Sequence, residues 1–182
     1  MTPANKMTLV RMICLPFVVL FLFKWGAAGK IISLVIFLLA SLSDLLDGWL
    51  ARRTNTVSSM GKIMDPVADK ILIFGIFICF VQLNLIPFWM VIIIMARDFL
   101  VMALRVKLAA EKLILAAIPV AKIKTTFEYL VVFFILSSLA GKELGVQFWR
   151  AEMVSISLMA GAVALALVSG LQYWFDHRRH LA

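Results

Sequence analysis

The sequence predicts an all-α integral membrane protein with six transmembrane helices and both termini in the cytoplasm. Of its 182 residues, 64% are hydrophobic and only 15% are charged, whereas a soluble domain normally carries about 45–50% apolar residues. The interior of a water-soluble fold is too small to hide that excess. We therefore exclude a soluble enzyme, a disordered tail and a disulfide-rich secreted module, and we treat residues 1–182 as a single membrane domain.

Six apolar stretches follow one another along the chain, and each is longer than the strand of a membrane barrel. None shows the strict alternation of apolar and polar residues that such a strand requires. A helix satisfies every backbone polar group internally, which lipid demands, and needs about 20 apolar residues to cross a bilayer. The predicted spans cover residues 8–23, 31–49, 63–83, 87–109, 125–140 and 153–175.

The distribution of the 18 Lys and Arg residues predicts the orientation of these spans. Cytoplasmic segments of membrane proteins carry an excess of both residue types. With the termini inside, only Lys24, Lys30, Lys142 and Arg150 face outward, Arg97 falls within the fourth span, and the others lie on the cytoplasmic side. Topology and contact with anionic membrane lipids therefore explain the net charge of +8, and we predict no nucleic-acid partner.

Four aspartates lie close together in a chain that has only 10 acidic residues. Asp44 and Asp47 are three residues apart near the end of the second span, and Asp65 and Asp69 are four apart near the start of the third. Residues at these intervals share one face of a helix. Because the second span runs inward and the third runs outward, we expect all four carboxylates to meet just below the cytoplasmic surface, across a loop of about ten residues.

A cluster of four carboxylates predicts a bound divalent cation. Like charges in a low-dielectric site repel one another, and a cation removes that conflict. Oxygen ligands favour Mg²⁺, Mn²⁺ or Ca²⁺, and no His or Cys lies near enough in the sequence to favour zinc. Mg²⁺ commonly leaves coordination positions open for substrate phosphates, so this cluster points to phosphoryl chemistry.

Small residues accompany the aspartates. Gly48, Ala51 and Gly61 would let a ligand approach the helix backbone closely, and Arg52 offers a planar guanidinium suited to a phosphate. Considered alone, each small residue is equally typical of close helix–helix packing. Their spacing relative to the aspartates favours the functional interpretation.

The complete pattern resembles the signature of the CDP-alcohol phosphotransferases, which are six-helix membrane enzymes of phospholipid synthesis. It reads Asp44-x2-Asp47-Gly48-x2-Ala51-Arg52-x8-Gly61-x3-Asp65-x3-Asp69, and every fixed position is satisfied. The resemblance implies transfer of the phosphatidyl part of a CDP-linked lipid to an alcohol, with release of CMP. It further implies that Mg²⁺ or Mn²⁺ is held by Asp44, Asp47 and Asp65, and that Asp69 joins a second metal or acts as the catalytic base.

The same resemblance implies which residues border the CDP-lipid: Gly48, Ala51, Arg52, Gly61, Thr8 and Arg11. Thr8 and Arg11 belong to an amino-terminal run similar to that of the family's phosphatidylglycerophosphate-forming group, and the segments 96–105, 122–126 and 172–173 are similar to that group as well. The implied substrates are therefore CDP-diacylglycerol and glycerol 3-phosphate. Asp98 and Ala121 depart from the group's usual Glu and Gly, so acceptors of the cardiolipin or phosphatidylinositol phosphate type stay open.

Basic residues near the cytoplasmic ends of the fourth and fifth spans form a candidate pocket for the acceptor phosphate. We expect Arg105, Lys122 and Lys124, with the hydroxyl of Thr125, to bind that dianion beside the aspartates. The alternative is a basic loop that only sets the topology. Glu128 is placed to balance Lys124 one turn away, and Arg97 with Asp98 is consistent with a structural ion pair.

A transporter coupled to protons or divalent cations is the competing interpretation from another class, because transporters also place carboxylates in their spans. The clustering of the acids near one surface and the absence of a visible inverted repeat in the sequence argue against it. We expect a multi-pass protein of a bacterial-type inner (plasma) membrane, with its active site facing the cytoplasm. Members of the resembled family often form dimers, so a homodimer is an expectation of the resemblance.

Overall fold

A computed structural model of the protein is all-helical over the residues it describes, which are 3–54, 59–110, 119–146 and 150–177. Within these, side chains are described for residues 12–43, 69–108, 119–146 and 150–175. Each predicted span overlaps one helix, which confirms the all-α prediction. The helices are α1 (Pro3–Lys24), α2 (Gly26–Thr54), α3 (Ser59–Gln82), α4 (Phe88–Ala110), α5 (Pro119–Glu143) and α6 (Ala151–His177).

Three stretches within these helices are long and apolar enough to cross a bilayer by length and composition: Gly26–Ser43, Pro119–Glu143 and Ala151–Phe175. In α4 the apolar sequence is interrupted by Arg97, Asp98 and Arg105. Large apolar side chains such as Leu39 and Leu100 are 63% and 72% exposed, as lipid-facing residues are. The apolar helices therefore indicate a membrane protein.

The chain divides into two compact units, each with its own buried core. Unit 1 comprises Met1–Phe80 and Val132–Ala151, and its core includes Leu72 and Phe77. Unit 2 comprises Val81–Val131 and Glu152–Ala182, and its core includes Ile94 and Leu108. The division falls inside α3 and inside α5, so each of these helices contributes residues to both units.

A tight turn joins α1 to α2 in unit 1. Gly26 adopts a positive φ of 50° at the start of α2, a conformation that glycine adopts at little cost. The hydroxyl of Ser33 donates to the carbonyl oxygen of Val18 at 3.0 Å, which ties the two helices together. Lys30 forms an ion pair with Glu143, which ties the beginning of α2 to the end of α5.

Gly29 is buried in the first turn of α2, against the end of α1. A Cβ atom at this position would lie 2.0 Å from the backbone oxygen of Phe21, and backbone atoms cannot move aside as a side-chain tip can. Gly29→Ala should therefore lower the free energy of unfolding by about 1–3 kcal/mol or more. Thermal unfolding in detergent micelles measures the loss. Exposed Ala28→Ser is the matched control, and equal melting temperatures for the two variants would contradict this account.

Candidate functional site

The predicted signature residues lie on the last turns of α2 and the first turns of α3, both in unit 1. Asp44, Asp47, Gly48, Ala51 and Arg52 belong to α2, and Gly61, Asp65 and Asp69 belong to α3. Among the four aspartates, Asp69 is the one whose side chain is described, and it is half-buried. The other signature side chains, and those of Thr8 and Arg11 on α1, lie outside the described side chains.

The helix bounds correct one prediction about this region. We expected a loop of about ten residues, but α2 continues to Thr54 and α3 begins at Ser59. The end of the apolar stretch marks a change of polarity rather than the end of the helix, because Leu, Ala and Arg are all strong helix formers. Asp47 thus lies seven residues before the end of α2, and Asp65 lies six residues after the start of α3.

A buried network of four charged side chains joins α4 to α5 in unit 2. The Asp98 carboxylate accepts a hydrogen bond from Arg97 Nη1 at 2.9 Å and another from Lys124 Nζ. Lys124 Nζ lies 2.6 Å from Glu128 Oε1, and the side chains of Lys124 and Glu128 are fully buried. The predicted ion pairs Arg97–Asp98 and Lys124–Glu128 are therefore confirmed. The four charges cancel, as burial in an apolar interior requires.

Tyr173 on α6 holds two arginines of α4. Arg105 Nη2 donates a hydrogen bond to the Tyr173 hydroxyl. The guanidinium carbons of Arg97 and Arg105 lie 5.6 and 5.4 Å from the centre of the Tyr173 ring, within the range of cation–π attraction. Gly170 leaves room for this arrangement, because a Cβ there would lie 3.0 Å from Arg97 Cγ. Sequence reasoning had missed the contacts of Tyr173, although Arg97 and Arg105 lie about two turns apart on one helix.

The four residues predicted to bind the acceptor phosphate have different environments in unit 2. Lys122 and Arg105 are exposed. Thr125 is half-buried, and its hydroxyl donates to the backbone oxygen of Ala121 at 3.1 Å. Lys124 is fully buried between two carboxylates. Lys122 and Arg105 can therefore meet a soluble anion directly, whereas Lys124 would have to exchange a carboxylate partner for it.

The donor set predicted for a metal consists of carboxylates, which are the ligands that Mg²⁺ and Mn²⁺ prefer. The helical spacing in the structure is compatible with this prediction, since Asp44 and Asp47 share one face of α2, and Asp65 and Asp69 share one face of α3. Among the side chains that the structure describes, no three His, Cys, Asp or Glu residues come together. Asp44, Asp47 and Asp65 are not among those side chains.

Comparison with known proteins places these residues in a family context. Residues 1–170 match the family model described as CDP-alcohol phosphatidyltransferase. The chain is 36% identical to a Bacillus subtilis protein named "CDP-diacylglycerol--glycerol-3-phosphate 3-phosphatidyltransferase", over 93% of this chain and 92% of that protein. It is 30% identical to a Rickettsia bellii protein of the same name, with the same coverage. It is also 29% identical to a "Probable phosphatidylglycerophosphate synthase" of Mycobacterium tuberculosis, over 93% of this chain and 78% of that protein.

The buried network predicts a large loss of stability on replacing Lys124 and almost none on replacing its neighbour Lys122. Lys124→Ala leaves the carboxylates of Asp98 and Glu128 buried without their shared cation, and should cost about 3–5 kcal/mol of stability. Lys122→Ala removes an exposed charge and should change stability by less than about 0.5 kcal/mol. Melting temperatures of the two variants in the same detergent give the comparison. Adding Glu128→Gln to Lys124→Ala should restore part of the loss, and an unaltered melting temperature for Lys124→Ala would refute the role of the network.

Proposed function

The chain belongs to the CDP-alcohol phosphatidyltransferase family, and on that basis we propose that it transfers the phosphatidyl group of CDP-diacylglycerol to glycerol 3-phosphate. The products would be phosphatidylglycerol phosphate and CMP. The observation that carries the proposal is the complete aspartate signature in a chain whose relatives, matched over 93% of its length, are named for this reaction. A cation or proton transporter would not be expected in this family.

We propose six transmembrane spans, α1 to α6, with both termini in the cytoplasm of a bacterial-type plasma membrane. Two observations support this orientation: the positive charge concentrated at one set of helix ends, and the bacterial origin of the relatives. The active site then faces the cytoplasm, where soluble glycerol 3-phosphate is available. A homodimer is part of the same proposal, since the resembled family often forms dimers.

Asp44, Asp47 and Asp65 are the residues that we propose to hold Mg²⁺ or Mn²⁺, with Asp69 at a second metal or as the base. When bound, such an ion would neutralise the negative charge of the diphosphate. Gly48, Ala51 and Gly61 would leave space beside the helices for the CDP-lipid, and Arg52 would pair with its phosphates. Thr8 and Arg11 would contact the same lipid from the first helix.

Asp69 is the residue that we propose as the general base. It lies one turn beyond Asp65 on α3, and its half-buried side chain has access to solvent. Its carboxylate would take the proton from the 1-hydroxyl of glycerol 3-phosphate while that oxygen forms a bond to the lipid-side phosphorus. The bond from this phosphorus to the bridging oxygen then breaks, and CMP leaves with the electron pair.

The phosphate of the acceptor is assigned to Arg105, Lys122, Lys124 and Thr125. The exposure of Lys122 and Arg105 supports direct contact for these two residues. Tyr173 would orient the Arg105 guanidinium for a bidentate contact with two phosphate oxygens. Lys124 would contribute only by exchanging Asp98 or Glu128 for the phosphate.

A transfer assay tests the reaction and the acceptor together. Purified protein in detergent should release CMP from CDP-diacylglycerol when glycerol 3-phosphate and Mg²⁺ or Mn²⁺ are present, and chelation with EDTA should abolish this release. Serine, inositol phosphate and phosphatidylglycerol serve as the comparison acceptors. Faster CMP release with any of these would reassign the acceptor within the family, and undiminished release in EDTA would refute the metal assignment.

Replacement of the proposed base tests the role of Asp69. Asp69→Asn keeps the size of the side chain but cannot accept the proton, so the turnover number should fall by about 100-fold or more. Membrane insertion and melting temperature should stay close to wild type. Glu152→Gln, an exposed change in the first turn of α6, is the matched control and should be fully active. Normal turnover by Asp69→Asn would eliminate Asp69 as the base.

A further inference from the structure

Unit 2 carries an apolar groove of about 760 Å³ between α4 and α6. Residues at intervals of three and four on α4 and α6 form its two walls, so each wall is one helix face. Leu100 and Leu104 are among the apolar residues of the first wall, and Leu167 and Leu171 belong to the second. From Ile93 to Lys107 the groove follows α4 for about 21 Å, more than the roughly 15 Å thickness of one hydrocarbon leaflet.

The chemistry of the groove changes along its length. Lys107 and Trp174 line it near the carboxyl-terminal ends of their helices, the ends that we propose to face the cytoplasm. A tryptophan beside a lysine is typical of the headgroup level of a bilayer. Lys107 is exposed, and the described residues provide no ion-pair partner for it. This end of the groove therefore offers a cation at the level where lipid phosphates lie.

Arg97 lines the groove at a deeper level, and its charge is balanced by Asp98. Its Nη1 atom donates to Asp98, but its Nε and Nη2 atoms are buried and have no hydrogen-bond acceptor among the described residues. Buried polar groups of this kind are rare in native proteins unless a water, ion or ligand pairs with them. These N–H groups have almost no exposed surface, so a lipid headgroup would be recognised at Lys107 instead.

We propose that this groove binds an anionic phospholipid of the surrounding membrane. The phosphate would pair with Lys107, and one acyl chain would run from that end of the groove along Leu104, Leu171 and Leu100. Arg97 is balanced by Asp98, whereas Lys107 has no ion-pair partner among the described residues, and its charge favours an anionic headgroup over a neutral one. In a second copy docked by this same face about an axis along the membrane normal, Lys107 would lie at the same depth as its counterpart, where like charges repel. The proposal does not depend on the transfer reaction.

Lipid titration of the full-length protein tests the site without substrate or metal. Delipidated protein in detergent is titrated with dioleoylphosphatidylglycerol or with dioleoylphosphatidylcholine, and native mass spectrometry counts the bound lipids. The wild-type chain should bind the anionic lipid more tightly. Lys107→Gln should weaken binding of the anionic lipid about fivefold and leave the zwitterionic lipid unaffected. Lys142→Gln, an exposed lysine in the last turn of α5, is the matched control.

A second pair of variants tests the acyl-chain wall. Leu171→Trp fills the groove and should weaken binding of both lipids. Leu130→Trp makes the same change at a side chain of similar exposure, 53% against 56%, that does not line the groove. The proposal would be overturned if the wild-type chain bound both lipids with equal affinity. It would also be overturned if Lys107→Gln and Lys142→Gln, or Leu171→Trp and Leu130→Trp, had equal effects on lipid binding. A protein dimer that Leu171→Trp dissociates and Leu130→Trp does not would overturn it as well.

Discussion

Charge placed inside apolar helices must be balanced, and the architecture of unit 2 follows from that constraint. Asp98 lies at the centre of the charge network, because its carboxylate pairs with Arg97 on its own helix and with Lys124 on the next. Glu128 completes the balance one turn along α5. Loss of any one of the four would leave a net charge in a low-dielectric interior. The network therefore specifies how α4 and α5 face each other.

The same constraint separates two kinds of acidic residue in this chain. Asp98 and Glu128 are compensated by cations of the protein itself and need no ligand. The signature aspartates carry one sign of charge and recur at helical intervals on α2 and α3. Our proposal assigns their compensation to a divalent ion and to the phosphates that the ion attracts. The acidic residues with a structural role are thus balanced by cations of the protein, and those with a proposed chemical role by a bound ion.

Much of this organisation could be predicted from local sequence spacing. Six apolar stretches predicted six helices, and the i, i+4 interval predicted the Lys124–Glu128 pair. Contacts between helices carry no such local signal, which is why the Asp98–Lys124 pair and the arginine contacts of Tyr173 emerged only from the structure. The predicted length of the connection after α2 was wrong because the apolar stretch ends several residues before the helix does, and the residues after it still favour a helix. The predicted roles of Asp44, Asp47 and Asp65 stay predictions.

The signature has eight unspecified residues between Arg52 and Gly61. Because α2 extends to Thr54 and α3 starts at Ser59, part of this spacer is helical. Of the eight residues between Arg52 and Gly61, the two at each end are helical. Each residue added to or removed from a helix turns everything beyond it by about 100°. A residue inserted at one of these helical positions would therefore turn one pair of aspartates relative to the other, whereas a substitution there would leave their relative orientation unchanged.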